Sequence, residues 1–175
     1  LQNRVSHGVF GYNKVEESYY EAVAAWQKEL HHMTVTKNHI RFNASVVSAL
    51  YGVLHAFTAP NDPVIICPPV YYPFFHAIEH TGRQLVTCEL DNTDGYYTLD
   101  FEKFERQIAA HKVKLFILCS PHTPVSRVWS AQVLEQMLSI CRKHQVLVVA
   151  DAIHQDFTYE DTHKVIPAKV LGKRS

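Results

Sequence analysis

Short, almost wholly apolar runs spaced between amphipathic stretches limit what this chain can fold into more than any other feature of it. The segments PVIIC (residues 63–67), KLFILC (114–119) and VLVVA (146–150) are too short for core helices and lack the two-residue alternation of half-exposed strands. They predict strands buried on both faces. Residues 45–57 between them keep Val46, Val47, Leu50, Val53, Leu54 and Phe57 at helical spacing, and residues 74–80 make two helical turns that stop at Gly82. Asp100 caps a helix to residue 111, and Ser130 caps another to residue 144. Residues 84–89 alternate as a strand, residues 91–95 read as a turn, and residues 39–43 read as a short strand running into the helix at 45. Nearer the N-terminus, Ser18 and Glu21 form a capping box that opens an amphipathic helix over residues 18–31. No internal repeat interrupts this order. The alternation predicts an α/β fold, a three-layer sandwich with helices on both faces of a mainly parallel sheet.

Composition narrows the function. Seventeen Lys plus Arg balance seventeen Asp plus Glu. That leaves no polycationic surface for nucleic acid or an anionic membrane, and no apolar run approaches the roughly 20 residues that span a bilayer. A small molecule is the expected partner. Cys67, Cys88, Cys119 and Cys141 show no CxxC pairing, and three of them end or interrupt apolar runs, so they read as reduced core thiols of a cytoplasmic protein. Among twelve scattered histidines, His76-Ala-Ile-Glu79-His80 matches the H-x-x-E-H pattern of inverted zinc peptidases. His76, Glu79, His80 and Arg83 also form the polar face of a short helix whose other face is Phe74, Ala77 and Ile78, and ordinary solvation accounts for that. Zinc hydrolysis is therefore the remote reading.

In open parallel sheets the ligand crevice lies beyond the carboxyl ends of the strands. Chemistry is thus expected at residues 43–47, 68–73, 120–127 and 151–156. Asp151 follows VLVVA and is either a carboxylate facing a ligand or a loop or cap carboxylate. Tyr71, just after Pro68-Pro69, either lays a ring over a ligand or packs as an ordinary aromatic. The amides of Ser45, Val46 and Val47 either face an anion at a helix start or form a plain N-cap. As a set, an aromatic plane, a carboxylate and an anion-binding helix start suit a flat, nitrogen-bearing, phosphorylated cofactor. A carboxylate beside a pyridine nitrogen keeps it protonated and makes the ring an electron sink.

The blocks HGVFGYNKVEESYYEAV, PPVYYPFFHAIEHTGR, LFILCSPHTPVSRVW and VLVVADAIHQDF occur in this order over nearly the whole chain. They resemble fold-type-I pyridoxal-phosphate enzymes, in particular the cystathionine β-lyase branch of the class I/II aminotransferase superfamily. The resemblance implies the large-domain fold of PLP-dependent transferases, pyridoxal 5′-phosphate as cofactor, and an amino-acid substrate that undergoes C–S β-elimination or transamination. HGVFGY and PPVYYPF favour the lyase. It also implies that Asp151 pairs with the cofactor's pyridinium nitrogen, that Tyr71 stacks on its ring, and that Ser45 and Val46 bind its phosphate. Tyr12 would reach across a homodimer interface to the other subunit's phosphate. Thr123 and His154 complete the implied cofactor set, with departures around them. Thr123 stands where the family has an Asn that donates to the cofactor's phenolic oxygen, Ser126 where it has Gly, and Ala152 where it has Glu before the retained Ile153 and His154. Arg127 matches a position that is basic in relatives.

The resemblance also organises the chain. Residues 1–35 are expected to be an N-terminal segment with its first helix, residues 36–160 a partial cofactor-binding large domain, and residues 161–175 a polar tail, with the C-terminal small domain absent. The family's Schiff-base lysine, in a downstream SKSFN-like block, has no counterpart before Ser175, and Lys164, Lys169 and Lys173 lack that context. The 175 residues alone are therefore expected to be inactive, either as a fragment of a longer lyase or as a non-catalytic relic or binding module. A parallel sheet cut short is also expected to expose a strand edge, covered by a dimer or another contact.

Overall fold

The computed structural model describes residues 1–159, with strands β1 (Pro63–Ile66), β2 (Gln84–Thr87), β3 (Asp91–Thr93), β4 (Tyr96–Thr98), β5 (Leu115–Cys119) and β6 (Leu147–Asp151). β1, β2, β5 and β6 form one parallel sheet in the order β2-β1-β5-β6. The chain moves outward from β1 to β2 and then returns to the other side of β1 at β5. The strand order therefore reverses between β1 and β5, the place where open sheets leave a crevice. The expected polar tail, with Lys164, Lys169 and Lys173, lies outside the described residues.

Six α-helices occur among the described residues: α1 (Gln2–His7), α2 (Glu17–His31), α3 (Val46–Phe57), α4 (Pro73–His80), α5 (Phe101–His111) and α6 (Ala131–Lys143). The last four cover the two faces of the sheet, and the two-residue period of a strand decides which side chain meets which layer. Val64 and Ile66 of β1, with Leu115, Ile117 and Cys119 of β5, pack against Leu50 and Leu54 of α3 and against Phe74, Ala77 and Ile78 of α4. Ile65, Phe116 and Leu118 point the other way, onto Phe104 and Ile108 of α5, Leu134, Met137 and Cys141 of α6, and Trp129. Each fully buried side chain of this kind contributes about 1.5–3 kcal/mol. This is the three-layer α/β arrangement that the uniformly apolar runs predict. β6 is an edge strand: Leu147 is 41% exposed, and Val148 to Ala150 are only half-buried.

Four local expectations are corrected. Residues 39–43 form no strand; Lys37–His39 is a 3₁₀ turn in which His39 Nδ1 accepts the Thr36 amide at 3.1 Å, and Phe42 is exposed with no neighbouring strand to pair with. Ser18 does not cap α2. The helix begins at Glu17, with Glu16 as N-cap and no side-chain cap bond, and the Glu17 carboxylate is instead paired with the Lys37 ammonium. Residues 91–95 are not a simple turn but the first half of the β3–β4 hairpin. Its two-residue loop Asp94-Gly95 has both φ positive (51° and 86°), as a type I′ connection needs, and Asn92 Oδ1 accepts the Gly95 amide at 2.8 Å.

Arg83 is the fourth. It is buried rather than part of a solvated helix face. Gly82, at φ 70°, ends α4 in the left-handed region and turns the chain, sending the guanidinium inward. There it donates to Thr58 Oγ1 at 2.9 Å and to the carbonyls of Leu54 (3.1 Å), Thr58 (2.6 Å) and Thr81. One cation thus ties the C-terminus of α3, at Leu54 and Thr58, to the end of α4 at Thr81.

The chain divides into two units, Leu1–Phe42 and Asn43–Ser175. In the first, the Lys37 ammonium sits 5.0 Å over the Tyr20 ring, and Tyr19 meets Phe42 edge-on at 5.7 Å. His31 is the one buried residue there. No helix among the described residues is long and apolar enough to cross a membrane.

Candidate functional site

A cavity of about 400 Å³ opens at the carboxyl ends of β5 and β6, beside the N-terminus of α3. Seven residues singled out from the sequence line it: Ser45, Val46, Val47, Tyr71, Thr123, Asp151 and His154. Tyr12 lies in the N-terminal unit, fully exposed.

Asp151 is the last residue of β6, in register with Cys119 at the end of β5, so the sheet itself carries the carboxylate to the cavity wall. It is 6% exposed, and Oδ1 accepts the Ile153 amide at 3.1 Å. Burial pushes its carboxyl above the usual value, while that amide and nearby His154 pull it back. A buried carboxylate in this condition is relieved by a cation or a charged donor.

The start of α3 is the anion-facing wall. Ser45 is its N-cap, and its side chain is already committed: Oγ accepts the Ser48 amide at 3.1 Å, and the Ser45 amide donates to Ser48 Oγ at 3.1 Å. That leaves the amides of Val46 and Val47, which have no carbonyl one turn earlier within the helix, as the donors at this end. Both residues line the cavity. Tyr71 forms another wall, its ring set edge-on against Phe74 at 5.9 Å and 84° with 36% of the residue exposed. His154 is exposed in the turn after β6, 6.3 Å from the Phe157 ring.

Residues 120–127 close the remaining side. His122 and Arg127 exchange backbone hydrogen bonds (2.7 and 3.3 Å), pinching the loop. The Thr123 amide points to Cys119 Sγ at 3.5 Å. Cys119, absent from the expected site, lines the cavity; burial pushes its thiol up to about 11, so it stays protonated at neutral pH. Its strand-end position across from Asp151 was the signal that would have marked it. Arg127 faces elsewhere. Its guanidinium stacks 3.8 Å from the Tyr96 ring centroid and donates to Tyr97 O and Tyr96 Oη, lining a second cavity of about 340 Å³.

Ser126 adopts φ 54°, the left-handed conformation that only glycine holds without cost. That gives a physical reason for the glycine which the resemblance implies at this position. Ser126→Gly is expected to raise stability by about 1 kcal/mol, seen as a higher urea midpoint at unchanged m-value.

Among the described residues no three metal-ligating side chains come together. His76 and His80 stack at 5.5 Å on the exposed face of α4, and His80 Nδ1 bonds the Tyr51 hydroxyl at 3.0 Å.

The cavity fits pyridoxal phosphate on its donor set: a buried carboxylate in need of a cation, two uncommitted helix-start amides for a phosphate, and an aromatic ring on the same cavity. Its volume falls within the range of about 300–1,000 Å³ for small-molecule sites. Among the described residues, no lysine lines it.

Known proteins share this arrangement of sequence and fold. The chain is 41% identical over 156 residues to cystathionine beta-lyase PatB of Bacillus subtilis, covering 89% of the chain and 40% of PatB. Among solved structures, cystalysin from Treponema denticola, which contains a pyridoxal 5′-phosphate cofactor, matches with a TM-score of 0.81 at 39% identity, over 89% of this chain and 39% of cystalysin. A PLP-bound C-S lyase from Staphylococcus hominis matches with a TM-score of 0.91 at 29% identity, over 99% of this chain and 44% of that one. The chain therefore spans about two-fifths of the length of these relatives. The sequence profile of aminotransferase class I and II matches residues 4–173, and with that span accounted for almost end to end, the chain belongs to this family.

Proposed function

We propose that these residues form the cofactor-holding part of a pyridoxal-phosphate-dependent C–S β-lyase acting on an amino acid of the cystathionine or cysteine type. The observation that carries this reading is the buried Asp151 carboxylate sharing one cavity with the α3 helix start and Tyr71. The identities of 41% to PatB and 39% to cystalysin support the lyase over a transaminase. When bound, pyridoxal phosphate supplies an electron sink for the pair released as bonds to the amino acid's α-carbon break. Asp151 holds a proton on the ring nitrogen. The Val46 and Val47 amides, aligned with the α3 dipole, bind the phosphate, while Ser45 fixes the helix start that aims them. Tyr71 keeps the ring in its plane, and Thr123 and His154 border it.

Thr123 replaces the amide donor that the resemblance implies with a shorter hydroxyl, which weakens the hold on the cofactor's phenolic oxygen. Among the described residues no lysine lines the cavity. The second reading is a non-catalytic module that binds the cofactor without processing it. We further read the protein as cytoplasmic, in keeping with its four free, buried cysteines, and as a homodimer in which Tyr12 serves the other subunit's phosphate. The exposed aromatics Phe10 and Tyr12 support that contact.

Calorimetric titration with pyridoxamine 5′-phosphate, which has no aldehyde to react with surface lysines, tests the cofactor site. It is expected to bind about 100-fold more tightly than pyridoxamine, the phosphate supplying about 2.7 kcal/mol. Equal affinity for the two would refute the helix-start assignment. With pyridoxal phosphate and cystathionine, the 175-residue polypeptide is expected to release thiol no faster than pyridoxal phosphate alone.

A further inference from the structure

His122 is 3% exposed and does not line the cavity, yet it sits between the two loops that do. Its Nε2 lies 3.0 Å from the carbonyl of Pro69, two residues before Tyr71. A carbonyl only accepts, so Nε2 carries the proton and donates. The next residue along the chain is Thr123. The ring is also set edge-on to Trp129 at 5.5 Å and 87°, and Trp129 Nε1 donates to the Cys119 carbonyl at 3.2 Å. The imidazole is thus anchored to the end of β5 on one side and holds the Pro68–Pro69 segment on the other.

We propose that His122 is a positioning residue that ties the Tyr71 loop to the Thr123 loop through its Nε2 hydrogen bond to the Pro69 carbonyl, and so sets the spacing of two cavity walls. Burial lowers the imidazole to about 4, so the ring is neutral across the physiological range and the Pro69 carbonyl fixes its one proton on Nε2. Carbonyls of Pro69 and Cys67 pull the value back only in part. The consequence for cofactor binding rests on the reading of the cavity given above; the coupling of the two loops does not.

The test compares His122→Phe, which fills the space without a donor, with His122→Gln, whose amide nitrogen reaches the place of Nε2. In the cofactor-free 175-residue protein, ¹⁵N relaxation is expected to show Val70, Tyr71 and Tyr72 loosened in the Phe variant and restored in the Gln variant. Leu85 to Thr87 in β2 should stay unchanged in both, which a general loss of stability would not allow. Affinity for pyridoxamine 5′-phosphate is expected to fall about tenfold in the Phe variant and return to within about threefold in the Gln variant. Should His122→Phe fail to fold, His122→Asn, whose amide is too short to reach Pro69, takes its place. Unchanged order at Tyr71 in the donor-less variant, or a Gln variant as loose as the Phe variant, would overturn the proposal. If the unaltered protein does not bind pyridoxamine 5′-phosphate, the cofactor reading fails, and the relaxation data still decide whether His122 couples the loops.

Discussion

Asp151→Asn is expected to weaken pyridoxamine 5′-phosphate binding about 100-fold or more while making the cofactor-free protein more stable at neutral pH. The two effects share one cause. Burial at the end of β6 raises the Asp151 carboxyl above its ordinary value of 3.8. The folded protein therefore holds a proton that the unfolded chain releases in the window just above that value. Stability from this group is complete below about pH 3.8 and is lost as pH rises through the folded-state value. At pH 7 the ionised, buried carboxylate is a burden that a neutral amide of the same shape does not carry. A protonated pyridine ring reverses the balance, because the charge then has a partner, and leaving one member of a buried pair alone costs about 3–5 kcal/mol. Urea unfolding at pH 7 should place the Asn variant above the unaltered protein, with the gap closing toward about pH 4. A less stable Asn variant at neutral pH would show that the carboxylate is satisfied within the chain and is not waiting for a cation.

Arg83→Met is expected to cost about 3 kcal/mol of stability, a substantial share of the roughly 5–15 kcal/mol that a folded domain possesses. Methionine fills similar volume but leaves the carbonyls of Thr58 and Thr81 and the Thr58 hydroxyl without the guanidinium, and takes one donor from the Leu54 carbonyl, which the Thr58 amide still reaches at 3.1 Å. Lysine, with a single ammonium in place of the planar fork, should recover only part of the loss. Urea unfolding of both variants checks this. A loss below about 0.5 kcal/mol for the methionine variant would mean that water replaces the guanidinium freely. The site depends on this residue indirectly: Arg83 secures the C-terminal end of α3, the helix whose other end faces the cavity.

What the sequence made legible follows from how each element is stabilised. β1 and β5 are buried on both faces, so their apolar runs carry the whole signal, and the position of the crevice follows from parallel topology alone. Asp151 was identifiable because a charged residue directly after VLVVA has to lie at the mouth of the sheet. The hairpin at residues 91–98 was missed although Asp94-Gly95 is a strong type I′ signal, because its strands are short and mostly exposed and lack an apolar pattern. The strand expected at residues 39–43 failed for want of a partner, which no local pattern discloses. Arg83 looked like a surface residue by helical periodicity, but Gly82 breaks that periodicity one residue earlier. His122 carried no signal at all: its role arises from a carbonyl 53 residues away in the chain. Thr123 and Ser126 stood out only against the resemblance. The structure adds the physical reason for the second, a left-handed φ that serine tolerates poorly.

Backbone amides of the ¹⁵N-labelled protein, followed during titration with pyridoxamine 5′-phosphate, show whether one cavity formed by the ends of β5 and β6, the start of α3 and the Tyr71 loop holds a phosphorylated pyridine cofactor. Saturable shifts are expected at Val46, Val47, Tyr71, Thr123, Asp151 and Ile153, with none at Tyr96 or at His76 and His80. Shifts confined to the Tyr96–Arg127 cavity, or no saturable shift at Val46 and Asp151, would contradict that cofactor site.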